Sequence, residues 1–170
     1  MTPSQRLTAA TVALATLLGF LTWLTRPDPA ADWHTLSDLK TATIRHIRLS
    51  RNGRLIADLA REDGEWRMLA PRPGRADPRM IQRLLQLPQA RSFRQPPLPA
   101  DPTPLGLRPP RARIRYDDTE LLFGAVEPVN HKRYVQVGRR LHLIHDRFAR
   151  IVLQSAPQDF LLTGSGGAGP

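Results

Sequence analysis

Short runs of alternating hydrophobic and polar residues follow one another through the middle of the chain, with the period of two that is typical of half-buried strands. The first run contains Ile44, Ile47 and Leu49, with imperfect alternation, and Asn52-Gly53 separates it from a second run over residues 55–60. Asn-Gly between two apolar runs is a strong hairpin signal, because a tight two-residue turn needs positive φ at both positions. The pattern therefore predicts an antiparallel hairpin.

A third strand is predicted after this hairpin. Glu62-Asp63-Gly64 indicates a turn, and residues 65–69 return as a strand that carries Trp66. Large aromatic residues usually fill the core of a small β domain, so we expect Trp66 to be largely buried against the helix that follows.

The helix is predicted from a start signal and a periodic apolar face. Asp77 is a favourable N-cap, and Pro78 occupies the first helical position. Apolar residues then recur at helical spacing at Met80, Ile81, Leu84, Leu85 and Leu87. Pro88 ends the helix, and residues 91–95 predict one short strand.

The second half of the chain repeats this order of strands followed by a helix. Strands are predicted over residues 112–116, 120–123, 133–137 and 141–144, with turns at Asp117-Asp118-Thr119 and Gly138-Arg139-Arg140. Asp146 is expected to cap a closing helix whose apolar face includes Phe148, Ile151 and Val152. The predicted fold class is therefore α+β, with two antiparallel β-meander-plus-helix units and an internal duplication as a hypothesis.

An uncharged apolar segment near the N-terminus predicts a transmembrane helix. Leu7–Thr25 contains no charged residue, and a helix of this length spans about 28 Å, close to the thickness of the hydrocarbon core. Arg6 and Arg26 flank it, and Trp23 stands near one end, where an indole suits the headgroup boundary. A cleaved signal peptide is the competing interpretation, but the apolar run is long for one and lacks a good small-x-small cleavage site.

These elements predict an order of segments along the chain. They are a cytoplasmic tail (1–6), a transmembrane anchor (7–25), a juxtamembrane stalk (26–43), a first β/α unit (44–95), a proline-rich connector (96–110), a second β/α unit (111–160) and a flexible tail (161–170). A short N-terminal tail before a lone anchor usually stays in the cytoplasm. The expected location is therefore the inner membrane of a bacterium, with a single span and the C-terminal domain in the periplasm.

The order of several short motifs resembles the family catalogued as domain of unknown function 4340. The motifs are Gly64-Glu65-Trp66 followed by Pro71, Ala76-Asp77 opening a helix, Gly106-Leu107-Arg108-Pro109-Pro110, Leu122-Phe123-Gly124, and Arg133-Tyr134-Val135. The resemblance covers roughly residues 44–160. It implies a membrane-anchored bacterial protein, and some similar domains occur beside ABC-type transporter or gliding-motility components. The family has no associated set of catalytic residues.

Composition narrows the class of protein. The chain has 170 residues, 41% of them hydrophobic, and a mean hydropathy of −0.36, which excludes a multi-span membrane protein and a wholly disordered chain. The absence of cysteine excludes disulfides, thiolate metal sites and a cysteine nucleophile. The net charge of +10 arises mainly from arginines scattered along the chain, so it predicts no dedicated nucleic-acid interface.

The densest basic segment near an aromatic residue is Asn130-His131-Lys132-Arg133-Tyr134. It is interpreted as a loop entering a strand, in which Lys132 and Arg133 are exposed and not needed for the fold. These two residues are the candidate contact with an anionic surface, such as lipid headgroups or an acidic partner.

No arrangement of residues predicts catalysis, a metal or a cofactor. His142 and His145 form an HxxH pair, but three positions apart on a strand they point to opposite faces, and we expect them to be solvated. Asp117 and Asp118 are typical turn formers. The chain carries no G-x-S-x-G elbow, phosphate loop or dinucleotide fingerprint, and Ser165 lies in the predicted tail.

The sequence therefore predicts a single-pass, membrane-anchored envelope protein with a non-catalytic accessory or scaffold role, in a complex that the family resemblance associates with transporters. Its expected partners are the membrane, through residues 7–25, a protein of the envelope, and anionic lipid; no nucleic acid is expected. Two alternatives stay open. One is an envelope enzyme with an unrecognised site, and the other is a basic nucleic-acid-binding module, against which the apolar segment counts.

Overall fold

A computed structural model describes residues 34–162 of the chain. In this part the strands are β1 (His34–Thr35), β2 (His46–Arg51), β3 (Arg54–Glu62), β4 (Glu65–Ala70), β5 (Gly74–Arg75), β6 (Arg91–Arg94), β7 (Ala112–Tyr116), β8 (Thr119–Val126), β9 (Lys132–Val137) and β10 (Arg140–His145). The α-helices are α1 (Pro78–Gln86) and α2 (Asp146–Gln154). The predicted α+β class is confirmed.

The predicted anchor, Leu7–Thr25, lies outside the described residues. Within residues 34–162, neither α-helix has the length and apolar character needed to cross a membrane.

All of these strands form one antiparallel sheet, in the order β1-β6-β10-β9-β8-β7-β2-β3-β4-β5. The meander β2-β3-β4 precedes α1, and the meander β7-β8-β9-β10 precedes α2. Pairing of β2 with β7 joins the two meanders, from Ile47↔Tyr116 to Arg51↔Ala112. The two halves therefore share one sheet. β6, which follows α1 in the sequence, pairs with β10, the last strand of the second meander.

Local turn and cap signals account for the first half of the fold. Asn52 and Gly53 have φ of +48° and +76°, so the predicted Asn-Gly hairpin between β2 and β3 is confirmed. The predicted N-cap of α1 is also confirmed, since an Asp77 carboxylate oxygen accepts the N–H of Arg79 at 2.8 Å.

The prediction that Asp146 caps α2 is wrong: His145 is the N-cap residue, and the Asp146 carboxylate binds Arg133 instead.

Both helices pack on the same face of the sheet. Alternate residues of the central strands are buried there, and they contribute to one hydrophobic core with both helices: Ile47, Leu49, Ile114, Tyr116, Ile81, Leu84, Ala149 and Val152. Complete burial of a side chain such as Leu84 stabilises the fold by about 2 kcal/mol. Trp66 is only half-buried, so the expectation of deep burial is wrong; it lines a surface cleft together with Ile81 and Leu85.

The chain segments on either side of the two units also pack against the fold. Leu36, from the predicted stalk, is buried, and its backbone N–H donates to the carbonyl oxygen of Ala90 at 3.1 Å. At the other end, Leu161 forms a bridge with Ala76, and the N–H of Leu162 donates to Arg75. The residues at both ends of the described chain therefore add backbone pairing at the two edges of the sheet.

The proline-rich connector crosses the sheet face opposite the helices. It contains a 3₁₀ turn, Thr103–Leu105, and Leu107 is fully buried. Phe123 points into the core, so the next residue, Gly124, faces the other side of the sheet. There the backbone of Gly124 contacts the carbonyl oxygen of Leu105 and the side chain of Leu107. Two of the motifs that carry the family resemblance, around Leu107 and Gly124, therefore pack on each other.

We expect Gly124→Ala to destabilise the protein by about 1–3 kcal/mol, because an added Cβ would collide with the backbone oxygen of Leu105 and the side chain of Leu107. Gly138→Ala is the control: Gly138 has φ of +56° but open space around it, so only the backbone strain of about 1 kcal/mol applies. Denaturant unfolding of both variants measures the difference between their free energies of unfolding. Equal decreases in that free energy would show that packing of the connector on β8 does not contribute to stability.

Candidate functional site

A groove of about 470 Å³ lies between the two helices on their outward side. Its lining comprises Arg83, Gln86 and Leu87 from α1 and the turn after it, Arg147, Phe148, Arg150, Ile151, Gln154 and Ser155 from α2 and its end, and Asp159. We call it the arginine groove.

Helical periodicity explains why arginines line this groove. Ile81 and Leu84 of α1, and Ala149 and Val152 of α2, are the buried residues that face the sheet. Arg83, Arg147 and Arg150 fall on the exposed sides of their helices, and the last two stand one turn apart.

The positive charge in the groove is not neutralised. In residues 34–162, none of the three groove arginines has a carboxylate within 4.0 Å, whereas arginines elsewhere pair with Asp58, Glu120 and Asp146. The guanidinium of Arg147 stacks 4.9 Å from the ring centroid of Phe148. The one acid that lines the groove, Asp159, accepts the backbone N–H of Ala156 at 2.8 Å. The groove therefore offers fixed positive charge to an anion.

Arg133 is not exposed, so that part of the sequence interpretation is wrong. It is only 7% exposed, because it lies on the same side of β9 as the core residue Val135. Its Nε donates to the Asp146 carboxylate at 2.5 Å, and Nη1 donates to the Gly124 carbonyl at 2.6 Å. Arg133 therefore fixes the start of α2 to β8, and its charge is used within the fold.

Lys132 occupies the opposite side of β9 and is half-buried. Its ammonium lies 3.8 Å from the ring centroid of Phe93 and 3.2 Å from Nε2 of His145. Partial loss of hydration, with the charges of Lys132 and Arg147, lowers the pKa of His145. Contact of Lys132 with an anionic surface stays a prediction.

His142 is buried, which corrects the expectation that both histidines of the HxxH pair are solvated. It is 1% exposed, whereas His145 is exposed. Among the described residues, neither ring nitrogen of His142 has a hydrogen-bond partner. Burial, aided by Arg140 and His34, lowers the pKa of His142 to about 4, since it disfavours the charged imidazolium. In residues 34–162, no group of three or more His, Asp or Glu side chains is placed to hold a metal ion.

A second polar cluster, on the sheet face away from the helices, was not predicted. Asp58 is 7% exposed; Nε2 of His46 lies 2.5 Å from one carboxylate oxygen, and Arg48 donates to the other at 2.7 Å. Burial alone would raise the pKa of Asp58, but the hydrogen bonds from Arg48 and His46 outweigh it and hold that pKa below its usual value. The cluster ties β2 to β3. Asp117, predicted as a turn former, accepts the backbone N–H of His46 at 2.9 Å.

Sequence reasoning did not single out the arginine groove, although a signal was present. The sequence of α1 contains two arginines and no acid, and the only acid in α2 is Asp146, which binds Arg133. Arg83 and Arg147 have no acid three or four residues away on their helices, and the acid four residues before Arg150 is Asp146, whose carboxylate is held by Arg133. Helix arginines without an available acid at this spacing are candidates for binding an external anion.

Comparison with protein-family models, with curated proteins and with solved structures finds no match for this chain. The resemblance to domain of unknown function 4340 therefore stays a prediction that rests on the order of its motifs.

His142 should make the stability of the protein depend on pH. Its pKa is about 4 when folded and 6.5 when unfolded, so the unfolded chain binds more protons between these values and stability falls as the pH drops through this window. We expect a loss on the order of 2 kcal/mol from this group. His142→Leu, which removes the proton site, should show a correspondingly flatter dependence in denaturant unfolding from pH 7 to pH 4. If the free energy of unfolding of the wild type and of His142→Leu changed equally with pH, the proposed contribution of His142 would be contradicted.

Proposed function

We propose that this chain is a single-pass, membrane-anchored envelope protein with a non-catalytic accessory or scaffold role. In this proposal Leu7–Thr25 forms a transmembrane helix that precedes the two β-meander-plus-helix units, and the folded part lies in the periplasm of a bacterium. The arginine groove holds an acidic segment of a partner protein. The observation that carries the proposal is the position of Arg83, Arg147 and Arg150 on one groove, with no carboxylate of residues 34–162 within 4.0 Å of them.

The chemistry of the groove favours binding over catalysis. Arginine keeps its proton at all physiological pH values, so it does not serve as a general acid or base there. Its planar guanidinium instead binds carboxylates through two parallel hydrogen bonds. The groove cations are thus suited to hold an anion in place.

The shape of the groove favours a segment of protein as the occupant. The lining residues run along α2 from Arg147 to Gln154, a distance of about 11 Å, which is the length of a few residues of an extended peptide or of two helical turns. Leu87, Phe148 and Ile151 supply apolar surface between the charged side chains. A segment that combines acidic and apolar residues would match both features. Participation in a transporter-associated complex rests on the family resemblance.

Reporter fusions test the anchor and its orientation. Alkaline phosphatase fused to the C-terminus of the full chain should be active, because that enzyme folds only outside the cytoplasm, and a fusion to a reporter that works only in the cytoplasm should be inactive. The reverse pattern would overturn the proposed location.

Site-specific crosslinking tests the arginine groove. The chain has no cysteine, so Gln86→Cys places a single thiol in the groove of the full-length protein for a photoreactive label. In intact membranes we expect one discrete adduct, and we expect Arg83→Glu with Arg150→Glu to abolish it by charge repulsion.

The matched control is Arg54→Glu with Arg72→Glu, which makes the same change of net charge at exposed positions outside the groove and should preserve the adduct. An adduct that survives reversal of the groove arginines, or that is lost equally in the control, would contradict binding at this groove.

A further inference from the structure

Charge is distributed unevenly across the sheet. The strands β1, β6, β10 and β9, which are neighbours at one side of the sheet, contain no Asp or Glu; we call them the acid-free strands. They carry five cationic residues: Arg91, Arg94, Lys132, Arg133 and Arg140. The other six strands carry eight arginines together with four acids. The excess of positive charge per strand is therefore greatest on one side of the sheet.

Most of this charge points outward. Arg94 and Arg140 are exposed, as is Arg139 in the turn between β9 and β10. In residues 34–162 none of these three, nor Lys132, has a carboxylate within 4.0 Å. Arg133 does not contribute, because Asp146 neutralises it inside the fold.

Two acids close to β9 and β10 are engaged locally. Asp146 binds Arg133, and Glu127, which lies just before β9, accepts the side-chain amide of Asn130 at 3.0 Å. Neither carboxylate forms an ion pair with Arg94, Arg139 or Arg140. Within residues 34–162 the positive charge of these three arginines is therefore not paired with a carboxylate.

The chain enters the sheet at this side. β1 begins at His34 and pairs with β6, so it is the edge strand of the sheet and the outermost of the acid-free strands. The proposed anchor ends at Thr25, and the eight residues between them reach at most about 28 Å. The chain segment that leads to the proposed anchor therefore joins the sheet at the acid-free strands.

We propose that the acid-free strands bind the anionic headgroups of the bilayer that anchors the chain. This inference rests on the anchor of the proposed function and is independent of the arginine groove. The exposed cations Arg94, Arg139 and Arg140 are spread along two strands and a turn and do not converge on one point, which suits a field of headgroups more than a single bound anion. The tether raises the effective concentration of the lipid surface, so weak contacts suffice.

Energy transfer in a reconstituted bilayer tests this surface. The full-length chain with Thr35→Cys, its single cysteine, carries a donor on β1, and the acceptor is a headgroup-labelled lipid in nanodiscs. We expect transfer to be more efficient in discs of phosphatidylglycerol and phosphatidylcholine than in phosphatidylcholine alone. Molar salt should remove the difference, since the Debye length then shrinks from about 8 Å to about 3 Å.

Charge variants test which residues cause the increase in energy transfer with phosphatidylglycerol. Arg94→Glu with Arg139→Glu should abolish the dependence on phosphatidylglycerol, and Arg94→Gln with Arg139→Gln, which introduces no acid, should reduce it. The control, Arg54→Glu with Arg72→Glu, should retain it, because Arg54 lies in β3 and Arg72 between β4 and β5, outside the acid-free strands. Circular dichroism of each variant verifies that the fold is intact.

The outcomes separate this inference from the proposed anchor. A chain that stays in the discs but transfers energy equally in both lipid compositions overturns the lipid surface and leaves the anchor standing. Loss of the effect in the control variant also overturns it, because net charge would then explain the result. A chain that does not remain with the discs overturns the anchor, and the lipid surface with it.

Discussion

Pairing of β2 with β7 is the interaction on which the rest of the structure depends. Each strand begins one meander, and their antiparallel register over five residue pairs makes the two meanders a single sheet. The buried pairs Ile47↔Tyr116 and Leu49↔Ile114 lie at the centre of the core beneath both helices. Without this pairing, each half would expose the apolar side of its first strand to water, at a cost of about 25 cal/mol per Å².

The same two strands position the helices reciprocally. The hydroxyl of Tyr116, in β7, donates to the carbonyl oxygen of Leu84 in α1 at 2.6 Å, so a strand of the second half holds the helix of the first. Conversely, Arg51 in β2 donates to the carbonyl oxygen of Leu153 in α2. Burial raises the pKa of Tyr116, which keeps this donor protonated. The arginine groove exists because both helices are fixed on one sheet face, each by a side chain from the other half.

Local patterns in the sequence predict the local structure well and the long-range structure poorly. The Asn52-Gly53 hairpin and the Asp77 cap follow from backbone preferences of a few residues, so the sequence reveals them. The burial of Arg133 depends on Asp146, thirteen residues later, and periodicity does not show such pairs. Likewise, the pairing of β6 with β10 and the packing of Leu107 on β8 are tertiary contacts. The groove was missed because it combines two helices that are distant in the sequence.

Native-state hydrogen exchange on the full-length chain tests most directly whether the two halves form one cooperative unit. The relevant amides are those of β2 and β3 in one half and of β8 and β9 in the other. If the β2–β7 pairing integrates the fold, the slowest amides of both halves should exchange with the same free energy and the same denaturant dependence, equal to those of global unfolding. Exchange of one meander at a distinctly lower free energy than the other would contradict this account, because the helices that form the arginine groove would then belong to independent units.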